Sequence, residues 1–267
     1  MAAAGPAIAD LRRIVPDFVA THPARAGATD WWRQPLVVTA RADRRFAALP
    51  HIAAPDHLLP ADLLPGVRSV IVYFVPFKRE LAAANRPGDY PCRDWGLAYH
   101  QTNAMIAAIN DHLAAWLAGM GHAAAVTPAT ANFDPASLMS RWSHKHLGHL
   151  AGLGRFGVNC QLITPAGCTG RLGSLVTTAD LGDHPLTQAA EHCLHRRGRK
   201  CLACVRRCPA GALSADGFDR RACYAHLQQA QARPDFAALP RPSDVCGKCQ
   251  VMLPCSFGIP ADGRGEA

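Results

Sequence analysis

The stretch KCLACVRRCPAG, from Lys200 to Gly211, contains three closely spaced cysteines, the last of which precedes a proline. Bacterial ferredoxins hold iron–sulfur clusters on a similar run, C-x2-C-x2-C-x3-C-P. Three cysteines of that run are present here, but Gly198 stands where the first one belongs. We therefore expect the missing ligand to come from another part of the chain.

The cysteines are concentrated in the last third of the chain. Eleven occur in 267 residues, and eight of these lie between positions 193 and 255. A second half-motif, CGKCQVMLPC (246–255), supplies another C-x2-C pair. The N-terminus lacks the apolar core of a secretory signal, so this crowding indicates metal binding rather than disulfides.

Reciprocal ligation divides the eight cysteines into two sets. In two-cluster ferredoxins the cysteine before proline ligates the other cluster, so the half-motifs interlock. The two sets, each predicted to hold one 4Fe–4S cluster, are site A, with Cys193, Cys201, Cys204 and Cys255, and site B, with Cys208, Cys223, Cys246 and Cys249. Zinc ribbons, or one cluster with spare thiols, are the alternatives, and the Cys-Pro step favours iron–sulfur.

The composition indicates a globular chain with a basic balance. Hydrophobic residues make up 49% of it, and the formal net charge is +8. Two clusters of charge about −2 each would reduce that charge to about +8 − 4 = +4. We therefore do not expect a nucleic-acid partner. No apolar run reaches the roughly 20 residues of a membrane span, so we expect a cytoplasmic protein with no membrane partner.

The pattern before the cysteines predicts an α/β fold. Apolar periodicity and turn residues predict helices over 8–21, from Trp95 to about Ala118, and from an N-cap at Asp134. VRSVIVYFVPF (67–77) predicts a strand buried on both faces, HAAAVTP (122–128) a short one, and CQLITP (160–165) and GRLGSLVTT (170–178) a pair. A domain boundary is expected near His184-Pro185, giving domains 1–184 and 185–267.

The segment LAGLGRFGVNCQLIT (150–164), followed by the cysteine half-motifs, resembles the epoxyqueuosine reductase family, which has AGLGxxGKN at this point. LLPGVRSVIVYFVPF (63–77) resembles the early strand of the family, and Tyr99-His100 matches its Tyr-His helix. The resemblance covers roughly residues 60 to 258. The family is similar in turn to the core of reductive dehalogenases. The resemblance implies a nitroreductase-like cobalamin-binding α/β domain followed by a two-cluster, bacterial ferredoxin-like domain.

The resemblance also implies a function. Cobalamin would carry out a reductive cleavage of the epoxide-deoxygenation or dehalogenation type, on a small molecule or modified nucleoside. An external ferredoxin or flavodoxin would supply electrons through two 4Fe–4S clusters. The residues expected to face cobalamin are Gly152, Gly154, Gly157, Asn159 and Arg171, and a surface arginine is the alternative for Arg171. Glycines permit close backbone approach, although a simple helix C-cap with a turn is the alternative explanation.

Reductive cleavage needs a proton source beside the cofactor, for which the candidates are His144, Lys145, Asp134 and Tyr99. The chain also departs from the family pattern. Val158 replaces the family's lysine, and the family's aspartate-containing segment has no clear counterpart. The helical-repeat domain that follows the cysteines in tRNA-acting members is not expected here. These departures indicate a short relative with a different substrate.

Two competing hypotheses come from other classes of protein. An electron-transfer or activase protein would hold two clusters, bind no cobalamin and dock on a partner redox enzyme. A nucleic-acid-processing iron–sulfur protein would use the basic stretches HRRGRK (195–200) and VRR (205–207). Those basic residues alternate with cluster ligands rather than with stacking aromatics, so the nucleic-acid hypothesis ranks last.

Overall fold

A computed structural model describes residues 5–127 and 133–262. Within them, a four-stranded sheet has the order β1-β2-β8-β3, with each pair of neighbours antiparallel. Its strands are β1 (Leu36–Arg41), β2 (Ser69–Pro76), β3 (Ala124–Val126) and β8 (Gly170–Thr177). Two small hairpins pair β4 (Phe133–Asp134) with β5 (Met139–Ser140), and β6 (Arg155–Phe156) with β7 (Leu162–Ile163).

The helices lie on both sides of the sheet and in the cysteine-rich region. They are α1 (Ile8–Ala26), α2 (Leu49–Ile52), α3 (Pro60–Leu63), α4 (Arg79–Ala84), α5 (Arg93–Ala118), α6 (His144–Leu150), α7 (Ala203–Arg206) and α8 (Arg220–Gln231), with 3-10 helices at Arg44–Ala48 and Pro234–Phe236. Among the described residues, no helix is long and apolar enough to cross a membrane.

Strand β2 is the centre of the core, as its sequence predicts. All eight of its residues are buried, because β1 and β8 flank it and helices cover both faces. Side chains on a strand alternate between faces. Ile71 and Tyr73 therefore pack with α1 and α5, while Val72 and Phe74 pack on the opposite side against α6. The predicted α/β class is confirmed.

The longest helix, α5, spans 26 residues and matches the predicted helix. Its buried stripe includes Met105, Ile109 and Leu113, at intervals of about one helical turn. Hydrogen bonds add specificity inside this layer, since Trp32 Nε1 donates to Thr102 Oγ1 over 2.8 Å. The first turns of α5 carry Tyr99 toward the cysteines.

The helix predicted to begin at Asp134 is wrong in its start. Asp134 accepts hydrogen bonds from the backbone N–H groups of Ala136 and Ser137, each over 3.0 Å, and so stabilises a tight turn between β4 and β5. Leu138 in this turn has φ +56°, which is incompatible with a continuing right-handed helix. Helix α6 begins only at His144.

The two strands predicted to pair with each other also differ from expectation. Strand β7 pairs with β6, and β8 pairs with β2 and β3. The segment before β8 reaches the cysteine-rich region instead. Cys168 N donates to Cys255 O over 3.0 Å, and Thr169 N donates to Ser256 O over 3.2 Å. Gly167, at φ +89°, lies so close to Ser256 that a Cβ atom would clash with its backbone.

The cysteine-rich region (residues 185–262) consists mostly of turns, with α7, α8 and one short 3-10 helix as its regular elements. Its start lies against the rest of the chain: the N–H groups of Leu186 and Thr187 both donate to Gly152 O over 2.9 Å. The division into domains at 184/185 and the cytoplasmic location stay predictions.

Candidate functional site

The four cysteines of site A line one cavity. Cys193 lies in a turn before the half-motif, Cys201 and Cys204 flank the start of α7, and Cys255 comes from the C-terminal half-motif. The rest of the lining is largely apolar and includes Val158, Ile163, Leu194 and Leu253. Gly198, in the loop after Cys193, has φ +77° and helps that loop to turn back.

The thiols of site A repel one another as thiolates. Burial, followed by the nearby Cys255, Cys193 and Cys201, raises the pKa of Cys204 to about 12. Without a positive charge in the cavity, the Cys204 thiol therefore remains protonated at neutral pH. Bound metal supplies that charge and deprotonates a coordinating thiol.

A further thiol adjoins site A. Cys168 Sγ lies 3.8 Å from Cys255 Sγ and donates a weak hydrogen bond to it. This contact lowers the pKa of Cys255 and raises that of Cys168, which is itself buried. Asn159 connects sites A and B. Its Nδ2 lies beside Cys168 Sγ and donates a hydrogen bond to Cys249 O, in site B, over 2.8 Å.

The four cysteines of site B line a second cavity. Burial is the main cause that raises the pKa of Cys223 to about 11, and the nearby Cys246 and Cys208 add to it. Burial likewise raises the pKa of Cys249 well above its ordinary value. Besides the four cysteines, the site B cavity is lined by residues that include Phe77, Trp95, Tyr99, Gln161, Arg171, His226 and Asp244.

Both predicted sets of four thiols are thus brought together. Among the described residues, no three His, Cys, Asp or Glu side chains are arranged to hold a single metal ion. The sulfurs of each site surround a cavity instead. A single zinc ion would draw its sulfurs to about 2.3 Å from one point, whereas the core of a four-iron cluster keeps them farther apart.

Site B is held against the first part of the chain by a buried lysine. Lys248 is 1% exposed, and its Nζ donates to Asn85 O over 2.6 Å and to Pro87 O over 2.8 Å. Asn85 Nδ2 in turn donates to Cys246 O over 2.8 Å. Burial lowers the pKa of Lys248, so these carbonyls are essential partners for its charged form.

The lining of the site B cavity also contains a cation beside an aromatic ring. The Arg171 guanidinium carbon lies 4.4 Å from the centre of the Tyr99 ring. Arg171 Nε is buried and has no hydrogen-bond partner among the described residues. Burial lowers the pKa of Arg171, partly offset by Tyr99 and Asp244. The arrangement is suited to a ligand with hydrogen-bond acceptors and an extended planar surface.

Of the four candidate proton donors, Tyr99 is the one that lines this cavity. His144, the first residue of α6, is buried, and its Nδ1 lies 2.7 Å from Ser174 Oγ on β8. Lys145 Nζ donates to Cys160 O over 3.0 Å, on the side of Cys223 and Cys249. Asp134 is exposed and caps the turn described above. The structure therefore does not bring the four together.

The glycines expected to face cobalamin contact protein atoms. A Cβ atom on Gly152 would lie 2.5 Å from Pro185, and one on Gly154 equally close to the carbonyl oxygen of Ile163. Gly157 lines site A, as does Asn159. The close approach that Gly152 and Gly154 permit is thus to other parts of the chain. Arg171, the fifth predicted cofactor residue, lies in the site B cavity.

No role was predicted from the sequence for Asp244, which lines this cavity, or for the neighbouring His100. Burial raises the pKa of the Asp244 carboxyl group. His100 Nε2 lies 2.8 Å from Ser243 Oγ, next to Asp244. The available signal for Asp244 was its position two residues before Cys246, and for His100 its place beside Tyr99.

The fold and the paired four-cysteine sites define an α/β protein with a ferredoxin-like cysteine region. No protein-family model matches the chain. It is 28% identical over 212 residues to epoxyqueuosine reductase of Bacillus cereus, covering 75% of this chain and 51% of that protein. This similarity agrees with the predicted resemblance to the epoxyqueuosine reductase-like family. The chain spans about half the length of that curated relative.

Two solved structures share the fold. A structure of epoxyqueuosine reductase with a tRNA-Tyr epoxyqueuosine-modified stem loop has a TM-score of 0.54 at 17% identity, covering 95% of this chain and 67% of that one. A catabolic reductive dehalogenase in complex with 3-bromo-4-hydroxybenzoic acid has a TM-score of 0.52 at 18% identity, covering 85% of this chain and 30% of that one.

Proposed function

We propose that the protein is a reductase that relays electrons through 4Fe–4S clusters in sites A and B to cobalamin in the site B cavity. The observation that carries this proposal is the sorting of eight cysteines into two cavities of four. One of these cavities is also lined by Tyr99 and Arg171, and a substrate-reducing cofactor would bind there, beside site B.

The chemistry of the donor set supports iron–sulfur binding at both sites. Each cavity offers four thiols, and burial raises the pKa of Cys204 at site A and of Cys249 at site B. Burying several thiolates together is unfavourable unless a cationic core neutralises them. Apolar neighbours at site A, such as Val158 and Leu194, would also keep water away from such a core.

One observation supports cobalamin binding in the site B cavity. The Nε atom of Arg171 is buried and has no hydrogen-bond partner among the described residues. Arg171 would donate to an acceptor of the cofactor, and Trp95 and Tyr99 would border its planar ring. When bound, cobalamin supplies a strongly reducing cobalt centre for cleaving a carbon–oxygen or carbon–halogen bond. The relatives named above motivate these two substrate types.

The proposed reaction sets the demands on the protein's own residues. Cleavage of a carbon–halogen bond consumes two electrons and one proton and releases halide. Deoxygenation of an epoxide to an alkene consumes two electrons and two protons and releases water. Tyr99, which lines the cavity, would donate a proton there, and the Arg171 guanidinium beside its ring would stabilise the resulting phenolate. The substrate is a small molecule or a modified nucleoside, which includes one carried in RNA.

The cluster assignment is tested by metal content after anaerobic reconstitution with iron and sulfide. Two four-iron clusters predict about eight iron and eight sulfide per chain for the unaltered protein. Cys193→Ala and Cys223→Ala should each lower iron content and the cluster absorbance near 400 nm, while the matched control Cys160→Ala should keep both. Unchanged iron in Cys193→Ala would show that Cys193 is not a ligand.

The cofactor assignment needs a separate measurement. Titration of the reconstituted protein with hydroxocobalamin should yield about one bound corrinoid with a base-off spectrum, and Arg171→Met should weaken binding at least tenfold. Arg68→Met, at an exposed surface arginine, serves as the control. Two intact clusters with no corrinoid binding at micromolar concentrations would instead favour the electron-transfer or activase alternative.

A further inference from the structure

An unusually basic segment surrounds part of site A. Residues 192–215 contain six arginines and lysines and no aspartate or glutamate. Arg196, Arg199, Lys200 and Arg206 in this segment are exposed. The segment carries more than a fifth of the chain's 28 basic residues, although it contributes neither to the sheet nor to the main hydrophobic core.

Three of these cations line one surface depression with a cluster ligand at its wall. The basic depression consists of His195, Gly198, Arg199, Lys200, Cys201, Leu202 and Arg206. Arg199 Nε lies 3.7 Å from Asp262, an exposed pair that contributes little attraction. The ion pairs among the described residues include no carboxylate partner for Lys200 or Arg206. Positive charge therefore faces solvent beside Cys201 of site A.

The two sites differ in what adjoins them. Site B opens on the cavity with Tyr99 and Arg171, whereas Cys201 of site A belongs to the wall of the basic depression. Electron transfer falls steeply with distance, so a protein donor has to dock close to its acceptor. A patch of one charge sign steers an oppositely charged partner and increases the association rate by about 10- to 1000-fold at low salt.

We propose that the basic depression is the docking surface for a small acidic one-electron carrier protein, which delivers electrons to site A. This inference rests on the proposed clusters and specifies the donor's chemistry and where it binds. Electrons would enter at site A, pass to site B and reach the site B cavity. Each encounter oxidises the carrier by one electron and reduces the site A cluster by one, with no bond broken.

RNA is the competing ligand for a basic surface. Proteins that bind single-stranded nucleic acid combine cations with aromatic side chains on which the bases stack. The basic depression contains no Phe, Tyr or Trp among its described lining residues. Its cations also lie beside a cluster ligand rather than along a groove. These features favour an acidic protein over RNA.

The test measures how fast the reconstituted protein is reduced by a photoreduced acidic flavodoxin, through anaerobic stopped-flow bleaching of cluster absorbance. We expect the second-order rate constant to fall at least tenfold between 20 and 500 mM salt. The triple charge reversal Arg199→Glu/Lys200→Glu/Arg206→Glu should lower it at least tenfold at low salt. The neutral triple Arg199→Gln/Lys200→Gln/Arg206→Gln should give an intermediate rate.

The control reverses three exposed arginines elsewhere, Arg13→Glu/Arg25→Glu/Arg44→Glu, with the same change in net charge. It should keep most of the rate. Iron content and reduction by dithionite should be unaltered in every variant, which separates docking from loss of clusters. Equal slowing by both charge-reversal triples would overturn the proposal, as would a salt-independent rate or competition by a tRNA stem-loop for the depression. Failure to assemble any cluster would instead overturn the proposed function.

Discussion

The sheet and the cysteine-rich region are stabilised in different ways. The sheet half buries a continuous set of apolar side chains, with β2 covered by α5 on one face and α6 on the other. The cysteine-rich region has few regular elements, and helix α7 is only four residues long. Its buried apolar residues are few among those described, and four of them, Phe236, Leu239, Val245 and Val251, belong to the core cluster of the sheet half.

This difference indicates what each region needs in order to fold. Apolar burial at roughly 25 cal/mol per Å² stabilises the sheet half through its own side chains. Turns with little apolar content cannot offset the entropy of ordering a backbone, about 1–2 kcal/mol per residue. In small metal-binding units, ligand binding supplies the missing free energy. We therefore expect the sheet to be independent of the clusters and the cysteine-rich region to depend on them.

The largest expected effect follows from removing the clusters. Chelation of iron under oxidising conditions should abolish amide-exchange protection over much of residues 190–260, because buried thiols and turns remain without a cationic core. Amides of β2, such as those of Val70 and Val72, should stay protected. Hydrogen exchange with mass spectrometry measures both in one sample. Persistent protection of the cysteine-rich region without iron would contradict the comparison.

A substitution that creates a cavity in the sheet half should lower stability there without loss of iron. Leu113 on α5 is fully buried, so Leu113→Ala should lower the free energy of unfolding by about 2–5 kcal/mol. Iron content should be unchanged. The control Ile52→Ala, at a side chain that is 44% exposed, should cost at most about 0.5 kcal/mol. Urea titration followed by far-UV circular dichroism gives the values, and iron loss in Leu113→Ala would show that the regions are not separable.

The contact between the regions is tested at Lys248. Lys248→Met keeps most of the side-chain volume but leaves the carbonyls of Asn85 and Pro87 without their donor, at a cost of about 1–3 kcal/mol. We expect faster iron release to a chelator, beginning at site B. Lys78→Met, which removes an exposed ion pair with Asp30, should cost less than about 1 kcal/mol. Equal rates of iron release in the two variants would argue against a stabilising contact between the regions at Lys248.

The last prediction concerns pH. Burial, with nearby Lys145 and other basic groups, lowers the pKa of His146 from 6.5 to about 4. The unfolded chain therefore binds more protons than the folded one between these values, so stability is complete above pH 6.5 and falls as pH decreases toward 4. His146→Gln should reduce this acid dependence in thermal denaturation scans from pH 7.5 to 4.5. The exposed His51→Gln should leave the slope unchanged, and an equal slope in both variants would contradict the assignment.

Much of this architecture was predictable from local patterns. Strand β2 and helix α5 follow from apolar runs of the right length and period, because burial of such segments dominates their choice of structure. The helix predicted at Asp134 failed because the aspartate side chain and the positive φ of Leu138 favour a turn. Local capping chemistry is the same at a helix start and at a tight turn, so sequence alone does not distinguish the two.

The sequence by itself determined which cysteines group together, because half-motif spacing and the Cys-Pro step restrict the possible partners of each thiol. The tertiary structure decided which polar residues adjoin those thiols. Tyr99, Arg171 and Asp244 come from three distant segments and meet only because α5, β8 and the second half-motif pack together. His144 and Asp134 had suitable chemistry but lie elsewhere. Proximity across such distances depends on the packing of whole elements, which short sequence patterns do not encode.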